Sequence, residues 1–547
     1  MRSIQMECST QEHSSPNRYT HIFNYLGEQM NGAQALIRTL VDAGVDVVFS
    51  NPGTSEMHFV AALDDVPEMR GVLTLFEGVA TGAADGYARM TGNPAAVLLH
   101  LGPGLGNGIA NLHNARRAHS PVVNIVGDHA TYHHQHDAPL QSDIGVLASN
   151  VSAWVHTSSD PKTVAADGAA AVAASLASPG GVATLILPAD VCWGDGGVVA
   201  KPVPAPNPLS TNADLITRSI AVLQSGEPTA LLVGDDIAGD PELLAEVAGL
   251  AVATGARVFG ETFPSRMRRG AGLPGLERIA YLAEFAQMQL DGLVHIITLG
   301  AKSPASFFAY PGKASDLVPD GATLIHAVED GGDVRATLAA LTSAIGSSAG
   351  DAPLVPAFRP EPPTGPLTGE TLAAAVAALL PPEAIVADES NTTGLWLPGA
   401  TAGAAPHDWL SLTGGAIGFG MPIATGAAIA CPGRRVLNLE SDGSAMYTLQ
   451  SLWTQARERL DVTTVILNNR SYAVLNLELR RVGATPGPAA LAMLDLSEPA
   501  IDFVLLAQGM GVTAERVSTS EEFYAALERS FATPGPSLIE AIVPNSF

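Results

Sequence analysis

From Met30 onward, short apolar runs alternate with longer stretches in which apolar and small residues recur at helical spacing. The runs at 45–49, 95–100, 183–187, 230–233, 295–299, 384–386 and 462–467 have the length and composition of buried strands, several of them ending in glycine-rich turns. The stretch opening at Asn31 reads as an amphipathic helix, 165–177 as a buried helix of small residues, and 448–460 as a further helix. Strand followed by helix, repeated, is the pattern of parallel sheets covered on both faces. Proline clusters at 201–208 and 346–366 punctuate it and favour extended connections. The fold class expected is therefore α/β, with three doubly wound parallel-sheet domains at 30–195, 209–345 and 367–547, and 346–366 as a linker. Residues 1–29 are rich in Ser, Asn, His and Gln and lack apolar periodicity. They read as a flexible extension, with no hydrophobic core of a signal peptide.

With 547 residues and 47% apolar content, the chain can bury several domain cores. No apolar run reaches the ~20 residues that span a bilayer. A formal charge of −26 disfavours a grip on nucleic acid or on anionic membrane. Cys8, Cys192 and Cys431 show neither metal spacing nor a paired framework, which suits a reducing cytoplasm.

The chemistry concentrates near the C-terminus. Glu440-Ser-Asp442-Gly443-Ser444 leaves one expected strand, and Asn468-Asn469-Arg-Ser471 leaves the next. A carboxylate (Asp442), an amide oxygen (Asn469) and a loop carbonyl (Ser471) at neighbouring strand ends suit a hard cation such as Mg²⁺, which takes oxygen ligands and shares them with phosphate. Open α/β sheets bind ligands in that crevice. Far upstream, Leu73-Thr-Leu-Phe-Glu77-Gly-Val-Ala delivers Glu77 from a short strand to the start of a small-residue helix.

These two stretches together resemble the fingerprint of thiamin-diphosphate (ThDP) enzymes, in the acetolactate synthase and benzoylformate decarboxylase branch. Asn51-Pro-Gly-Thr-Ser-Glu56, His100-Leu-Gly-Pro-Gly, Asp388-Glu-Ser390-Asn391 and Gly414-Gly-Ala-Ile417-Gly-Phe419 follow in the family's order. The resemblance spans roughly residues 30 to 547. It implies that the first domain binds the cofactor's pyrimidine and the last its diphosphate, through Mg²⁺ on Asp442, Asn469 and Ser471. Glu77 would favour the imino tautomer of the aminopyrimidine, whose nitrogen then takes the thiazolium proton. Ile417 would prop the cofactor into its bent shape, with Ser390, Asn391, Gly443, Ser444 and Asn469 beside it. It further implies a homodimer or homotetramer with active sites between subunits. Some relatives bind FAD in the middle domain; Gly234-Asp-Asp lacks the dinucleotide spacing, so a structural middle domain is expected, without FAD.

The resemblance also frames the reaction as decarboxylation or carboligation of a small-molecule 2-oxo acid. His100 stands where benzoylformate decarboxylases carry a histidine, and an imidazole can both donate and accept a proton. Thr54 matches the hydroxyl residue that holds the substrate carboxylate. Three departures qualify this. Ser441 replaces the first glycine of the usual Gly-Asp-Gly, and would be strained if that position needed a positive φ. The stretch 301–310 lacks the family's second histidine, Phe307 standing nearest its place. Residues 472–478 read as an aliphatic, partly polar pocket wall, which does not indicate a strictly aryl substrate. The loop 127–137 holds His129, His133, His134 and His136; a solvated polar loop is the expectation, although His133 or His134 could stand in for the missing histidine. The expected activity is a ThDP- and Mg²⁺-dependent 2-oxo acid decarboxylase or carboligase. The alternatives are acetolactate synthase or a similar lyase, and a cofactor-binding subunit that is catalytically idle.

Overall fold

A computed structural model describes residues 30–545; the expected N-terminal extension lies outside them. Three sheets organise the described residues. The first contains β1 (Val47–Ser50), β2 (Arg70–Leu73), β3 (Ala95–Leu99), β4 (Val122–Asp128), β5 (Trp154–Thr157) and β6 (Val182–Pro188), in the order β2-β1-β3-β4-β6-β5. All its pairings are parallel. The middle stretch supplies β7 (Thr229–Val233), β8 (Arg257–Gly260), β9 (Arg266–Arg269), β10 (Glu277–Arg278), β11 (His295–Leu299) and β12 (Thr323–His326). Five of these form the parallel sheet β10-β8-β7-β11-β12. The last sheet uses β13 (Ile385–Glu389), β14 (His407–Ser411), β15 (Val436–Ser441), β16 (Val462–Asn468), β17 (Thr513–Val517) and β18 (Ser537–Ile542), in the order β17-β18-β16-β15-β13-β14-β9. Its edge strand, β9, crosses from the middle stretch and pairs antiparallel with β14.

The strand interiors are apolar because both faces are covered: every residue of β3, β4, β6, β7, β14 and β16 is buried. One hydrophobic core runs from the first sheet into the last, joining Val97 and Val126 to Ile385, Phe419 and Val462. Its seam is the contact between the helices Glu77–Thr91 and Gly420–Ala430. Small residues permit the close approach: a Cβ at Gly86 would lie 2.3 Å from the Ile423 carbonyl oxygen, and one at Gly426 only 1.9 Å from that of Ala83. Arg89 pins the same seam. Its buried guanidinium pairs with Asp85 (2.7 Å) and donates to the carbonyls of Ser265 and Ser411, which belong to the middle stretch and the last sheet.

Two local expectations change. The glycine-rich segment after β3 is no turn but the start of the helix Leu101–Arg117; Pro103 falls within its first turn, where a missing N–H costs nothing. The helix expected at 448–460 is two helices, Asp442–Thr448 and Ser451–Glu458, so Asp442 begins a helix directly at the end of β15.

Candidate active site

In the first and last sheets the strand order reverses beside the first strand, and the crevice there receives the loops that carry the candidate residues. In the first sheet the reversal lies between β1 and β3. The loop after β1 brings Ser55 and Glu56; the end of β3 brings His100. Glu56 is 1% exposed, and its carboxylate accepts from the Gly53 N–H (2.7 Å), the Ser55 hydroxyl (2.5 Å) and His100 Nδ1 (2.9 Å). An ionised carboxylate can only accept, so Nδ1 carries the proton and Nε2 is left to face a ligand. Gly53 has no side chain because one would strike the His100 ring at 2.2 Å. Thr54 begins the short 3₁₀ turn Thr54–Glu56 and is exposed; the hydroxyl beside the imidazole is that of Ser55, at 3.4 Å from Nδ1. Glu77 is the first residue of its helix and is 7% exposed, with Asn107 Nδ2 donating to it at 3.0 Å.

In the last sheet the reversal lies between β13 and β15, and β16 is the next strand out. The register pairs Ser441 with Leu467, so Asp442 and Asn469 emerge side by side. Asp442 is 3% exposed; burial raises the pKa of its carboxyl, against backbone N–H groups that lower it. Those groups include Gly443 (2.8 Å) and Arg470 (2.7 Å). Among the described residues it has no basic side-chain partner. Arg470 takes a left-handed φ of 57°, which turns the loop sharply, and Asn469 Oδ1 accepts from the Ser471 N–H at 2.9 Å. A buried, uncompensated carboxylate among amide and carbonyl oxygens fits a hard divalent cation. Gly443 is required where it stands, since a Cβ would meet the Tyr472 ring at 2.4 Å.

Ser441 is not strained: its φ of −82° and ψ of 151° are ordinary extended backbone. Its hydroxyl accepts from Asn391 Nδ2 (2.6 Å) and donates to Ser444 (2.8 Å), so Asn391, Ser441 and Ser444 form one polar cluster at the helix start. Ser390 does not join them. Its N–H and hydroxyl are both given to Asp388, at 3.1 and 2.5 Å.

Ile417 sits half-buried on a loop gripped from two sides. The Gly418, Phe419 and Gly420 N–H groups donate to the wholly buried Glu389 at 2.8, 2.8 and 2.6 Å. From the other side, Asn114 donates to the Ala416 carbonyl (2.8 Å). Asn111 bridges the Gly418 carbonyl (3.2 Å) and that of Gly78 (2.8 Å), beside Glu77. Glu56, Glu389, Asn107, Asn111 and Asn114 had no signal in the sequence beyond being polar residues near motif glycines.

The histidine loop folds on itself. His129, His133 and His136 pack as tilted rings at successive centroid distances of 5.2 and 5.4 Å, and His134 meets Asp128 at 3.2 Å. Among the described residues no group of three or more His, Cys, Asp or Glu is arranged to hold a metal. In the middle sheet the corresponding crevice, between β7 and β11, is shut by backbone. Gly234 N–H donates to the Leu299 carbonyl at 3.0 Å, and a Cβ at Gly234 would lie 2.2 Å from the Gly300 oxygen. Acids flank it: Asp235 is pushed up to about 7 by burial and by the charge of Glu261.

Two sheet crevices, one presenting a buried carboxylate at a helix start and a histidine–carboxylate pair, the other a buried carboxylate beside amide and carbonyl oxygens, are the arrangement of an α/β ligand-binding protein with two candidate half-sites. Comparison with known proteins specifies which. Residues 30–147 match the thiamine pyrophosphate enzyme N-terminal TPP binding domain, and 393–541 the C-terminal TPP binding domain. The chain is 60% identical over 519 residues to the "Putative acetolactate synthase large subunit IlvX" of Mycobacterium tuberculosis, covering 94% of this chain and 99% of that one. It is 32% identical over 537 residues to a benzoylformate decarboxylase of Pseudomonas aeruginosa, covering 91% and 96%. A thiamine diphosphate-dependent 4-hydroxybenzoylformate decarboxylase of Rhodococcus jostii RHA1 superposes with a TM-score of 0.81 at 27% identity, covering 94% of this chain and 99% of that one. The chain belongs to the thiamine pyrophosphate enzyme family, and its relatives include both acetolactate synthase-like proteins and benzoylformate decarboxylases.

Proposed function

We propose that the protein is a Mg²⁺-dependent 2-oxo acid decarboxylase or carboligase. The single observation that carries this reading is the His100–Glu56 pair, a proton-handling group with a fixed tautomer at the crevice of the first sheet. Thiamin diphosphate, when bound, supplies the electron sink that lets the bond to the departing carboxylate break. Asp442, Asn469 and the Ser471 carbonyl would hold Mg²⁺, with Gly443, Asn391 and Ser444 facing the diphosphate. Glu77 would hold a proton against the aminopyrimidine, and Ile417 would support the cofactor in its bent shape. His100 Nε2 then exchanges a proton at the reacting carbonyl, and the exposed Thr54 hydroxyl meets the substrate carboxylate. In the decarboxylase outcome one 2-oxo acid anion and one proton give an aldehyde and CO₂, so the protein must deliver that proton and keep bulk water from competing.

The middle unit, about 209–345, is assigned a structural role without FAD; its closed crevice and buried acids would meet a diphosphate with backbone and like charge. The units 30–195 and 367–547 carry the two halves of the site. A homodimer or homotetramer is part of the proposal. Leu395 (70% exposed) and Trp396 (57%) on the turn after Asn391, Met446 and Tyr447 on the helix that Asp442 begins, and Leu75 just before Glu77 lie bare, the apolar exposure that a partner subunit would cover.

One observation favours a second reading, acetolactate synthesis: the 60% identical relative bears that name. Purified protein with ThDP, Mg²⁺ and a panel of 2-oxo acids, followed for CO₂ and organic product together, decides between them. An aldehyde supports the first reading, acetolactate from pyruvate the second. Cofactor binding with no CO₂ from any acid contradicts both and leaves an idle subunit.

A further inference from the structure

β13 and β15 are parallel neighbours with Glu389 opposite Glu440, so the residues that follow the two strands leave the sheet together. Asn391 and Ser441, 50 positions apart in the chain, meet there: Asn391 Nδ2 donates to the Ser441 hydroxyl at 2.6 Å. Ser441 donates in turn to the Ser444 hydroxyl at 2.8 Å. Ser444 also receives a longer bond from Asn391 Nδ2, at 3.3 Å. The Asn391 amide is carried to this spot by a left-handed backbone, φ 49°, which asparagine tolerates better than most residues with a side chain.

A hydroxyl has two acceptor positions and one proton to give. Both acceptor positions of Ser444 are filled, by Ser441 and by Asn391, and among the described residues its own proton meets no acceptor. Ser444 is only 3% exposed, and a buried donor left without an acceptor is costly. With the lone pairs turned toward Asn391 and Ser441, the O–H has to point away from both. Ser441 is what sets that direction. A glycine at 441, as in the usual Gly-Asp-Gly, would leave Asn391 with the 3.3 Å contact alone. Ser444 would then be free to turn its proton back to a carbonyl of its own helix.

We propose that Ser441 is a positioning residue for the cofactor's diphosphate, and that the relay Asn391–Ser441–Ser444 sets the Ser444 hydroxyl as a donor to a phosphate oxygen before the cofactor arrives. This rests on the reading of Asn391 and Ser444 as facing the diphosphate. The three bonds run in one sense, so each polarises the next, and an ionised oxygen at the end makes the last bond the strong, charge-assisted kind. Ser441 acts through Ser444, because its single proton is already given to that hydroxyl. The departure from glycine that looked like a strain in the sequence is thereby a device of this chain for holding its cofactor.

Calorimetric titration of the full chain with ThDP in saturating Mg²⁺ reads the effect without turnover, on the wild type, Ser441→Gly, Ser441→Ala, Ser441→Thr, Ser444→Ala and the combination of Ser441→Gly with Ser444→Ala. Ser441→Gly and Ser441→Ala are each expected to weaken ThDP binding by about tenfold, the scale of one hydrogen bond to a charged group. Ser441→Thr, which keeps the hydroxyl, is expected to recover most of that loss. Added to Ser444→Ala, Ser441→Gly is expected to change affinity by no more than about twofold, because the group it acts through is gone. Affinity in Ser441→Gly equal to or above that of the wild type overturns the relay. So does a loss in Ser441→Gly that Ser441→Ala does not share, which assigns it to the backbone, or a full tenfold loss on top of Ser444→Ala. Wild-type affinity in Ser444→Ala removes the placing of Ser444 at the diphosphate, and the relay with it.

Discussion

At the scale of single residues, the site depends on buried acids whose partners are fixed by the fold. Glu56 holds His100 through Nδ1 while bonded to Gly53 and Ser55, so the imidazole has one orientation and one free nitrogen. His100→Ala is expected to lower kcat for CO₂ release by about 100-fold, with cofactor affinity retained. Glu56→Gln should cost less, since the amide oxygen can still accept from Nδ1; steady-state kinetics beside a cofactor titration measures both. Neither Glu56 nor Glu389 was legible in the sequence as a site residue, because an acid's role as an orienting group depends on which loops meet it. That Asp442 and Asn469 leave neighbouring strand ends was legible, because the spacing of successive strands and helices survives in one dimension. The partners of Ser390 were likewise not legible: Asp388, two residues away, takes both its donors. Asp235 makes a separate prediction. Its pKa is raised from 3.8 to about 7, by burial first and by Glu261 second. A carboxyl raised in the folded state stabilises the fold fully below its unfolded pKa, and that contribution is lost as pH rises through the folded value. Melting temperature should therefore fall between about pH 4 and pH 7 by an amount that Asp235→Asn removes, since asparagine carries no charge to bury and can still accept from Ser265.

The elements that place these residues meet at unusually close range. In the pair Glu77–Thr91 and Gly420–Ala430, glycine is a packing requirement: Gly86 faces the Ile423 carbonyl and Gly426 that of Ala83. Gly86→Val is expected to force the helices apart and to destabilise the protein by about 1–3 kcal/mol or more, read as a lower denaturation midpoint. It should also weaken cofactor binding, because Asn111 ties the start of the first helix to the loop of Ile417. The small-residue composition of 77–91 announced this contact in the sequence. The start of Leu101–Arg117 did not announce itself, because glycine and proline speak against helix by intrinsic propensity. Here they are kept for space: Gly104 lies against Glu77 and His100, and Gly108 against Thr81. Packing between elements overrode local preference at this point.

For the whole molecule, strand–helix alternation was enough to read three α/β units, since a parallel sheet buried on both faces leaves near-continuous apolar strands. The crossing of β9 into the last sheet was not readable, as Arg266–Arg269 is charged and looks like a surface turn. Its arginines are instead satisfied in place, Arg266 and Arg268 meeting the buried Asp408 at 2.8 and 3.4 Å. The strand thereby ties the middle stretch to the edge of the last sheet, beside β14. In the proposed function these units work together on a 2-oxo acid, with Glu77 activating the cofactor. The most direct test is CO₂ release from a panel of 2-oxo acids by the wild-type protein and Glu77→Gln, each saturated with ThDP and Mg²⁺. CO₂ is expected from at least one acid in the wild type, with a loss of about 100-fold or more in the variant. Unchanged turnover in Glu77→Gln, or cofactor binding by the wild type with no CO₂ from any acid, would contradict it.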